Sequence, residues 1–496
     1  MDTGFARSRD AAGSALARAH QVYLERPDDP ALVVDGRDVL TYRELHERSQ
    51  GIADDLRGRG LEPGDRVLLS FAATEWASFL PVWLGVVRAG LVAVSVSTRF
   101  AERELARVVQ DARPALGIVS PSGPRPVSTS VPLVATSDVY AAPARTADAL
   151  VVEESALAAI LYTSGTTGTT KGVACPHGSL VAASFPEPRR SIHAFPFDAA
   201  AGQNVFVRAL LGSPTHALST FAPGRFVDLV AGHDIEWAGI VPTMGTMLVR
   251  SGVLHHRALP SLRVLCLAGA PSPPVLLDRL QRELPDAQIV NHYTLTEAGP
   301  MFLAQVYEPS RPTAVGPTSG DVEVRVLDEG GREASRGDVG EIALRARWPT
   351  VARCYFGDEE ATARTFSPDG WLRTGDLGFV DEDGFLHLVD RKKDLIIRAG
   401  RNISCLEVEA VIAEHPDVAD VAVFGLPHDA VGEIVATAVV LERPVTERAL
   451  RDHVRRHLTE EKVPEVVVVR DSLPRTETGK VLKRVLAAET AGRLRG

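Results

Sequence analysis

The chain has 496 residues, 45% of them hydrophobic, which is enough for a large core split over roughly two to four structural units. Its formal net charge of −10 gives it no general attraction for nucleic acid or an anionic membrane. Cys175, Cys266, Cys354 and Cys405 lie far apart, which argues against a disulfide framework or a cysteine zinc site and fits a reducing cytoplasm.

Residues 1–20 lack the apolar stretch of a secretion signal. "LTYRELHERSQGIADDLRGRG", from Leu40, reads as a helix that Thr41 caps, with Glu44 three residues on. "DRVLLSF" follows as a short strand. The apolar run from Leu80 to Ser97 is interrupted by Gly85, Arg88 and Gly90, so it suits a buried helix and strand better than a membrane span. Strand and helix signals keep alternating through "PALGIVS", "ALAAILYTS", "IEWAGIVP", "RVLCLAG" and "AQIVNHY", the pattern of an α/β fold with mostly parallel sheets. From about residue 320 the texture changes. "DVEVRVLDEGG" and "VGEIALRA" alternate with period two and look antiparallel. The last hundred or so residues alternate strands such as "VADVAVFGL" with amphipathic helices such as "ERALRDHVRRHL", a small α+β module. Between the two textures, Arg391, Lys392, Lys393 and Arg398 flank a strand. Taken alone they read as a solvated charged turn. The histidines show no H-E-x-x-H spacing, so no structural or catalytic transition metal is expected.

"LYTSGTTGTTKGV" (Leu161 to Val173) follows an apolar strand with an unbroken run of hydroxyl and glycine residues that ends on Lys171. Glycine lets backbone N–H groups approach a ligand, the hydroxyls add donors and the lysine adds charge, so the loop suits a polyphosphate. It is not a Walker A loop. Thr170 replaces that motif's second glycine, and Gly172 stands where a magnesium-binding Ser or Thr belongs.

The loop resembles the [ST]-S-G-T-[TS]-G-x-P-K-G signature of the adenylate-forming superfamily, which includes acyl-CoA synthetases, aryl-CoA ligases, stand-alone adenylation domains and beetle luciferase. Thr170 takes the place of the proline. Four more stretches resemble that superfamily, in its order. They are "LAGAPSPP" (from Leu267), "NHYTLTEAG" (from Asn291), "GWLRTGDLGFVDEDGFLHLVDRKKD" (from Gly370) and "LPRTETGKVLKRVL" (from Leu473). Asp390 replaces the glycine before Arg391.

The resemblance implies a fold and a reaction. The fold is a large N-terminal domain, residues 1–390, of stacked, mostly parallel αβ sheets plus a small β-barrel-like subdomain. A hinge at 391–394, centred on Lys393, leads to a small mobile C-terminal α+β domain, residues 395–496. The reaction is ATP- and Mg²⁺-dependent activation of a carboxylic acid to an acyl adenylate, with transfer of the acyl group to CoA. By position, Thr163, Ser164, Gly165, Thr166, Thr167, Gly168 and Lys171 would hold the phosphates. Gly269, Ala270, Pro271, Asn291, His292, Tyr293 and Thr294 would line the nucleotide site. Thr296 would touch the α-phosphate and Glu297 would hold Mg²⁺. Asp376 would bind the ribose hydroxyls, and Arg391 the ribose or a phosphate. Lys480 would bridge the carboxylate and the α-phosphate. Arg398, Ala399 and Gly400 would serve the thioester step.

The substrate pocket would include Ala199, Val241, Gly269, His292 and Gly299. "PFDAAAG" places Ala199 where relatives carry a ring, which leaves room for a bulky or cyclic acid or is compensated elsewhere. "GRNISCLEVE" has Ser404 and Cys405 where relatives often have Tyr-Pro, a departure beside the residues that the resemblance assigns to the thioester step. A carrier-protein thiol is the alternative acceptor. The stretch after Lys480 has no room for a fused carrier domain, so the acceptor is expected from outside. A nucleotide binder without turnover is the non-enzyme alternative, and a homodimer is the default expectation for a soluble enzyme.

Overall fold

The computed structural model describes residues 15–72, 74–98, 100–125, 131–140, 152–164, 170–180, 189–348, 351, 353–476 and 479–495. Two α/β layers form the first part of the chain. One is an eight-stranded sheet ordered Leu303–Val306, Gln288–Tyr293, Val264–Leu267, Trp237–Ile240, Ser191–His193, Thr215–Ala217, Pro30–Val34 and Asp38–Thr41. Its inner six strands are parallel and each outermost strand is antiparallel. The other is a seven-stranded sheet ordered Cys354–Tyr355, Thr170–Pro176, Leu157–Ser164, Val92–Ser97, Arg66–Phe71, Leu116–Val119 and Leu133–Ala135.

These strands read as continuous apolar runs because both of their faces are covered. The helix Trp76–Arg88 is apolar on all sides and almost wholly buried. Its Trp76, Phe79 and Trp83 share one core with Leu32 and Val34 of the eight-stranded sheet and Val67 and Leu69 of the seven-stranded sheet. The helix Tyr42–Gly58 starts where expected. Thr41 Oγ1 accepts from the Glu44 N–H and Glu44 returns a bond to the Thr41 N–H, a reciprocal cap.

Beyond residue 313 the period-two segments form a five-stranded antiparallel sheet ordered Ala314–Pro317, Phe385–Arg391, Leu372–Val380, Gly340–Ala346 and Val322–Leu327. This is the small β unit the texture change announces. The C-terminal module has a sheet of Ile396–Arg398, Arg401–Ile403, Val418–His428, Gly432–Leu441 and Val466–Val469. One of its faces buries Ile396, Val408, Val423 and Leu450 against the helices Cys405–Ala413 and Glu447–Arg455. The other buries Phe424, Ala436 and Leu473 with Leu486 of the helix Lys483–Arg495. No described helix is long and apolar enough to cross a membrane.

Candidate functional site

The glycine–hydroxyl loop joins two antiparallel strands. Thr163 lies opposite Lys171, and Ser164 opposite Thr170. Gly165, Thr166, Thr167 and Gly168 lie outside the described residues. Lys171 sits with its Nζ 4.7 Å from the centroid of the Tyr355 ring and 3.6 Å from Asp358 Oδ2. The strand Cys354–Tyr355 pairs with the returning arm of this hairpin, Tyr355 opposite Val173, and that register puts the ring beside the lysine. The Tyr355 hydroxyl donates to Glu297 Oε1 at 2.9 Å. One tyrosine therefore joins the lysine of the phosphate loop to the expected metal ligand.

Arg353 is buried and supports the segment around Glu297 from below. Its Nη1 donates to the Thr296 carbonyl at 2.7 Å and its Nη2 to the Ser179 carbonyl at 3.3 Å. A Cβ at Gly299 would fall 2.4–2.6 Å from the guanidinium, so a side chain there would have to displace the arginine. The Thr294 hydroxyl closes the same loop by donating to the Met301 carbonyl at 3.1 Å. Neither Arg353 nor Tyr355 belongs to a motif legible in the sequence.

Asp376 is buried and lies directly opposite Arg391 on the neighbouring strand. Arg391 Nε donates to its Oδ1 at 2.7 Å, and the Tyr293 hydroxyl donates to its Oδ2 at 2.8 Å. Burial works against the Arg391 charge, and the Asp376 carboxylate more than offsets it, so the guanidinium pKa is raised. Burial and the same carboxylate push the Tyr293 phenol well above its usual range. The solvated reading of this basic turn thus fails at Arg391, which is drawn inward, and holds for Lys392 and Lys393, both exposed. Asn291 is also buried, and its amide donates to the Ala314 carbonyl at 3.2 Å, tying the eight-stranded sheet to the antiparallel one. Gly269, in the left-handed region at φ +89°, begins the turn through Ala270 and Pro271 after the strand Val264–Leu267.

Ala199 caps the helix Ala200–Leu210, and Val241 caps Pro242–Ser251. Val241, Val205, Phe195 and Ala268 pack together, so this helix and the strand ends form one wall. His292 stacks on Phe302 at 4.8 Å between ring centroids. Burial, with Arg208 second, holds its pKa at about 3, so the ring is neutral. Arg208 is buried on the Trp237 ring, 4.8 Å from its centroid. Burial lowers its pKa to about 10, which leaves it cationic at neutral pH. The sequence reading missed Arg208. Its only signal was a lone cation in the apolar run "NVFVRALL".

The C-terminal module contributes Lys480. Arg475 holds the turn that carries it, donating to Asp420 at 2.6 and 2.7 Å and to the Gly479 carbonyl at 2.5 Å. Gly479, at φ +82°, packs against the start of the helix Pro242–Ser251, where a Cβ would stand 3.0 Å from Thr243 Oγ1. The Lys480 side chain is exposed, and Arg391, Asp376, Glu297 and Lys393 are the charged groups near its ammonium. Burial lowers its pKa and nearby Arg391 lowers it further, while Asp376 and Glu297 act in the opposite sense.

The structure does not bring Arg398, Ala399 and Gly400 into this group. Their contacts run to Glu461, Glu465 and Val431 within the C-terminal module. Cys405 is buried with its thiol donating to the Asp394 carbonyl at 2.9 Å, and burial raises its pKa, which makes it an inert thiol.

Cations from two parts of the chain thus face one cleft that also holds two carboxylates, an arrangement suited to a nucleotide polyphosphate with a ribose at one end. The chain is similar to known proteins over almost its whole length. The family profile described as AMP-binding enzyme matches residues 19–356, and the AMP-binding enzyme C-terminal domain matches residues 407–480. An oxalate–CoA ligase of Arabidopsis thaliana is 31% identical, with 93% of this chain and 95% of that protein covered. A fatty acid–[acyl-carrier-protein] ligase, ScoC, of Streptomyces coeruleorubidus is 32% identical, with 93% of each covered. The ATP-bound crystal structure of MatB from Rhodopseudomonas palustris superposes with a TM-score of 0.84 at 29% identity, with 96% of this chain and 99% of that one covered. With its matches in both parts of the chain and a cleft shared between them, this protein belongs to the AMP-binding enzyme family.

Proposed function

We propose that this protein activates a carboxylic acid with ATP and passes the acyl group to coenzyme A. The observation that carries this reading is the approach of Lys480, from the C-terminal module, to a cleft that also holds Asp376, Arg391 and Glu297. In the first step a carboxylate oxygen bonds to the α-phosphorus as the bond to pyrophosphate breaks. Negative charge builds on the phosphoryl oxygens, and Lys480 and Thr296 stabilise it there. Lys171 and the hydroxyl–glycine segment hold the β- and γ-phosphates. The Asp376 oxygens each keep a lone pair beyond their bonds to Arg391 and Tyr293, so they accept from the two ribose hydroxyls. In the second step the thiol gives up its proton to solvent, its sulfur bonds to the acyl carbon, the carbon–oxygen bond to AMP breaks and AMP leaves.

Mg²⁺ fits the donor set. Glu297 offers a single carboxylate whose Oε1 is oriented by Tyr355, which leaves Oε2 to a hard cation that takes its other ligands from phosphate and water. When bound, the ion neutralises phosphate charge. The two half-reactions make different demands on one cleft. We assign residues 1–390 and 395–496 to two bodies that turn about 391–394, with Lys393 as the pivot. The turn exchanges Lys480 for the Arg398–Gly400 segment.

The acid is bulky and oxygenated. The Ala199 methyl leaves space, and Arg208, on the helix that Ala199 precedes, and nearby His292 supply polar groups. A carrier-protein thiol is the second reading, favoured by the similarity to ScoC. A carboxylate-dependent ATP–pyrophosphate exchange screen, headed by large cyclic and aromatic oxygenated acids, tests the first step. Adding CoA or a carrier protein then separates the acceptors. Absence of exchange with every acid rules the enzyme reading out.

A further inference from the structure

The helix Cys405–Ala413 ends at Glu414, and the helix Glu447–Arg455 ends just before His457. Among the described residues, Glu414, His453 and His457 bring one ligand atom each to within 4.8 Å of one another. His457 lies in the turn that follows the helix, where its N–H donates to the Val454 carbonyl at 3.0 Å and its ring centroid stands 5.1 Å from that of His453. His453 Nε2 lies 2.9 Å from the Val411 carbonyl, so that nitrogen carries the proton and Nδ1 keeps its lone pair. A backbone carbonyl on the far nitrogen is also how proteins orient metal-bound histidines. His415 packs beside the His453 ring, with centroids 5.3 Å apart.

We propose that Glu414, His453 and His457 bind a divalent transition-metal ion, zinc in class, at a site separate from the nucleotide cleft. Two imidazoles and one carboxylate suit zinc, nickel or copper better than magnesium or calcium. Bonds of roughly 2.0–2.2 Å in tetrahedral geometry draw the ligand atoms closer than they now stand, and the exposed Glu414 and His457 side chains are free to rotate inward. Arg456, whose Nη2 lies 3.4 Å from His453 Nδ1, is exposed and swings away. The ion pins the C-terminal end of one helix to that of the other. The first of these helices begins at Cys405, next to the hairpin that carries Arg398 to Gly400.

The test uses the full chain, treated with EDTA and then titrated with Zn²⁺ against a chromophoric chelator in excess Mg²⁺. Co²⁺ serves as the spectroscopic probe. One equivalent of Zn²⁺ is expected to bind, with a tetrahedral Co²⁺ spectrum. His457→Ala and Glu414→Gln each weaken binding by roughly tenfold or more. Both side chains are exposed, so neither change threatens folding. The control His255→Ala/His256→Ala binds like the parent protein, and Zn²⁺ raises the Tm of the parent but not of His457→Ala. Less than one equivalent bound, or His457→Ala and Glu414→Gln both binding like the parent, overturns the assignment.

Discussion

Lys480 meets two opposed demands. In the proposed adenylation step it has to be cationic to offset charge on phosphorus, yet it stands where burial and Arg391 favour its neutral form. Lys480→Ala is expected to slow adenylation by roughly 10²–10³ and to leave thioester formation from pre-made acyl adenylate largely intact. Equal loss in both assays removes Lys480 from the first step. The cation is the protonated form, so activity falls as pH rises through the lowered pKa. The alkaline limb of ATP–pyrophosphate exchange therefore begins below 10.5, the ordinary lysine value, and Lys480→Arg moves it upward. Tyr355 gives a second prediction at this scale. Tyr355→Phe keeps the ring beside Lys171 but frees Glu297, so the Mg²⁺ concentration for half-maximal exchange rises by roughly tenfold while the KM for ATP at saturating Mg²⁺ changes little. Lys480 and Asp376 were legible in the sequence because each stands inside a contiguous motif. Tyr355 and Arg353 were not, because their partners lie 58 and 174 positions away, at Glu297 and Ser179.

Among the secondary-structure elements, the hairpin Ile396–Ile403 stands out. Its two turn residues, Ala399 at φ +47° and Gly400 at φ +78°, both occupy the left-handed region that such tight turns require. Glycine does this freely, while alanine costs roughly 1–2 kcal/mol there because its Cβ crowds the backbone. Ala399→Gly is therefore expected to stabilise the protein by up to about 1 kcal/mol, a gain trimmed by glycine's larger unfolded-state entropy. A urea midpoint that is unchanged or lower refutes this. Most elements were legible at this scale. The Thr41–Glu44 cap, the wholly apolar helix Trp76–Arg88 and the period-two strands near residue 340 each follow from spacing within a dozen residues. The strain at Ala399 was not, since the sign of φ depends on how the two arms of the hairpin pair.

At the level of the whole molecule, departures from the family's pattern at residues 390 and 404 meet in space. Asp390 is buried at the end of the strand Phe385–Arg391, and its Oδ2 accepts from the Ser404 hydroxyl at 3.0 Å and the Leu406 N–H at 3.3 Å. Ser404 in turn caps the helix Cys405–Ala413 by accepting from the Glu407 N–H at 3.1 Å. Burial raises the Asp390 pKa, and nearby Lys483, itself 2.8 Å from Glu409, acts against that rise. This contact spans residues 391–394, and if these act as the proposed hinge it holds the arrangement in which Lys480 stands near Asp376 and Glu297. Asp390→Gly is expected to shift the balance of the half-reactions toward thioester formation by roughly five- to thirty-fold, the equivalent of 1–2 kcal/mol. Separate assays of adenylation and of thiol transfer measure it, and an unchanged ratio shows that the contact does not hold the arrangement. By itself the sequence determined the fold class, the order of the elements and the family, because those are carried by periodicity and by short motifs whose residues are neighbours along the chain. The tertiary structure alone decided that Tyr355 joins Lys171 to Glu297, that Arg353 supports the loop at Gly299, and that Glu414 faces His453 and His457. Those meetings depend on sheet order, register and helix packing, which arise from burying the whole core at once and leave no mark on any local stretch of sequence.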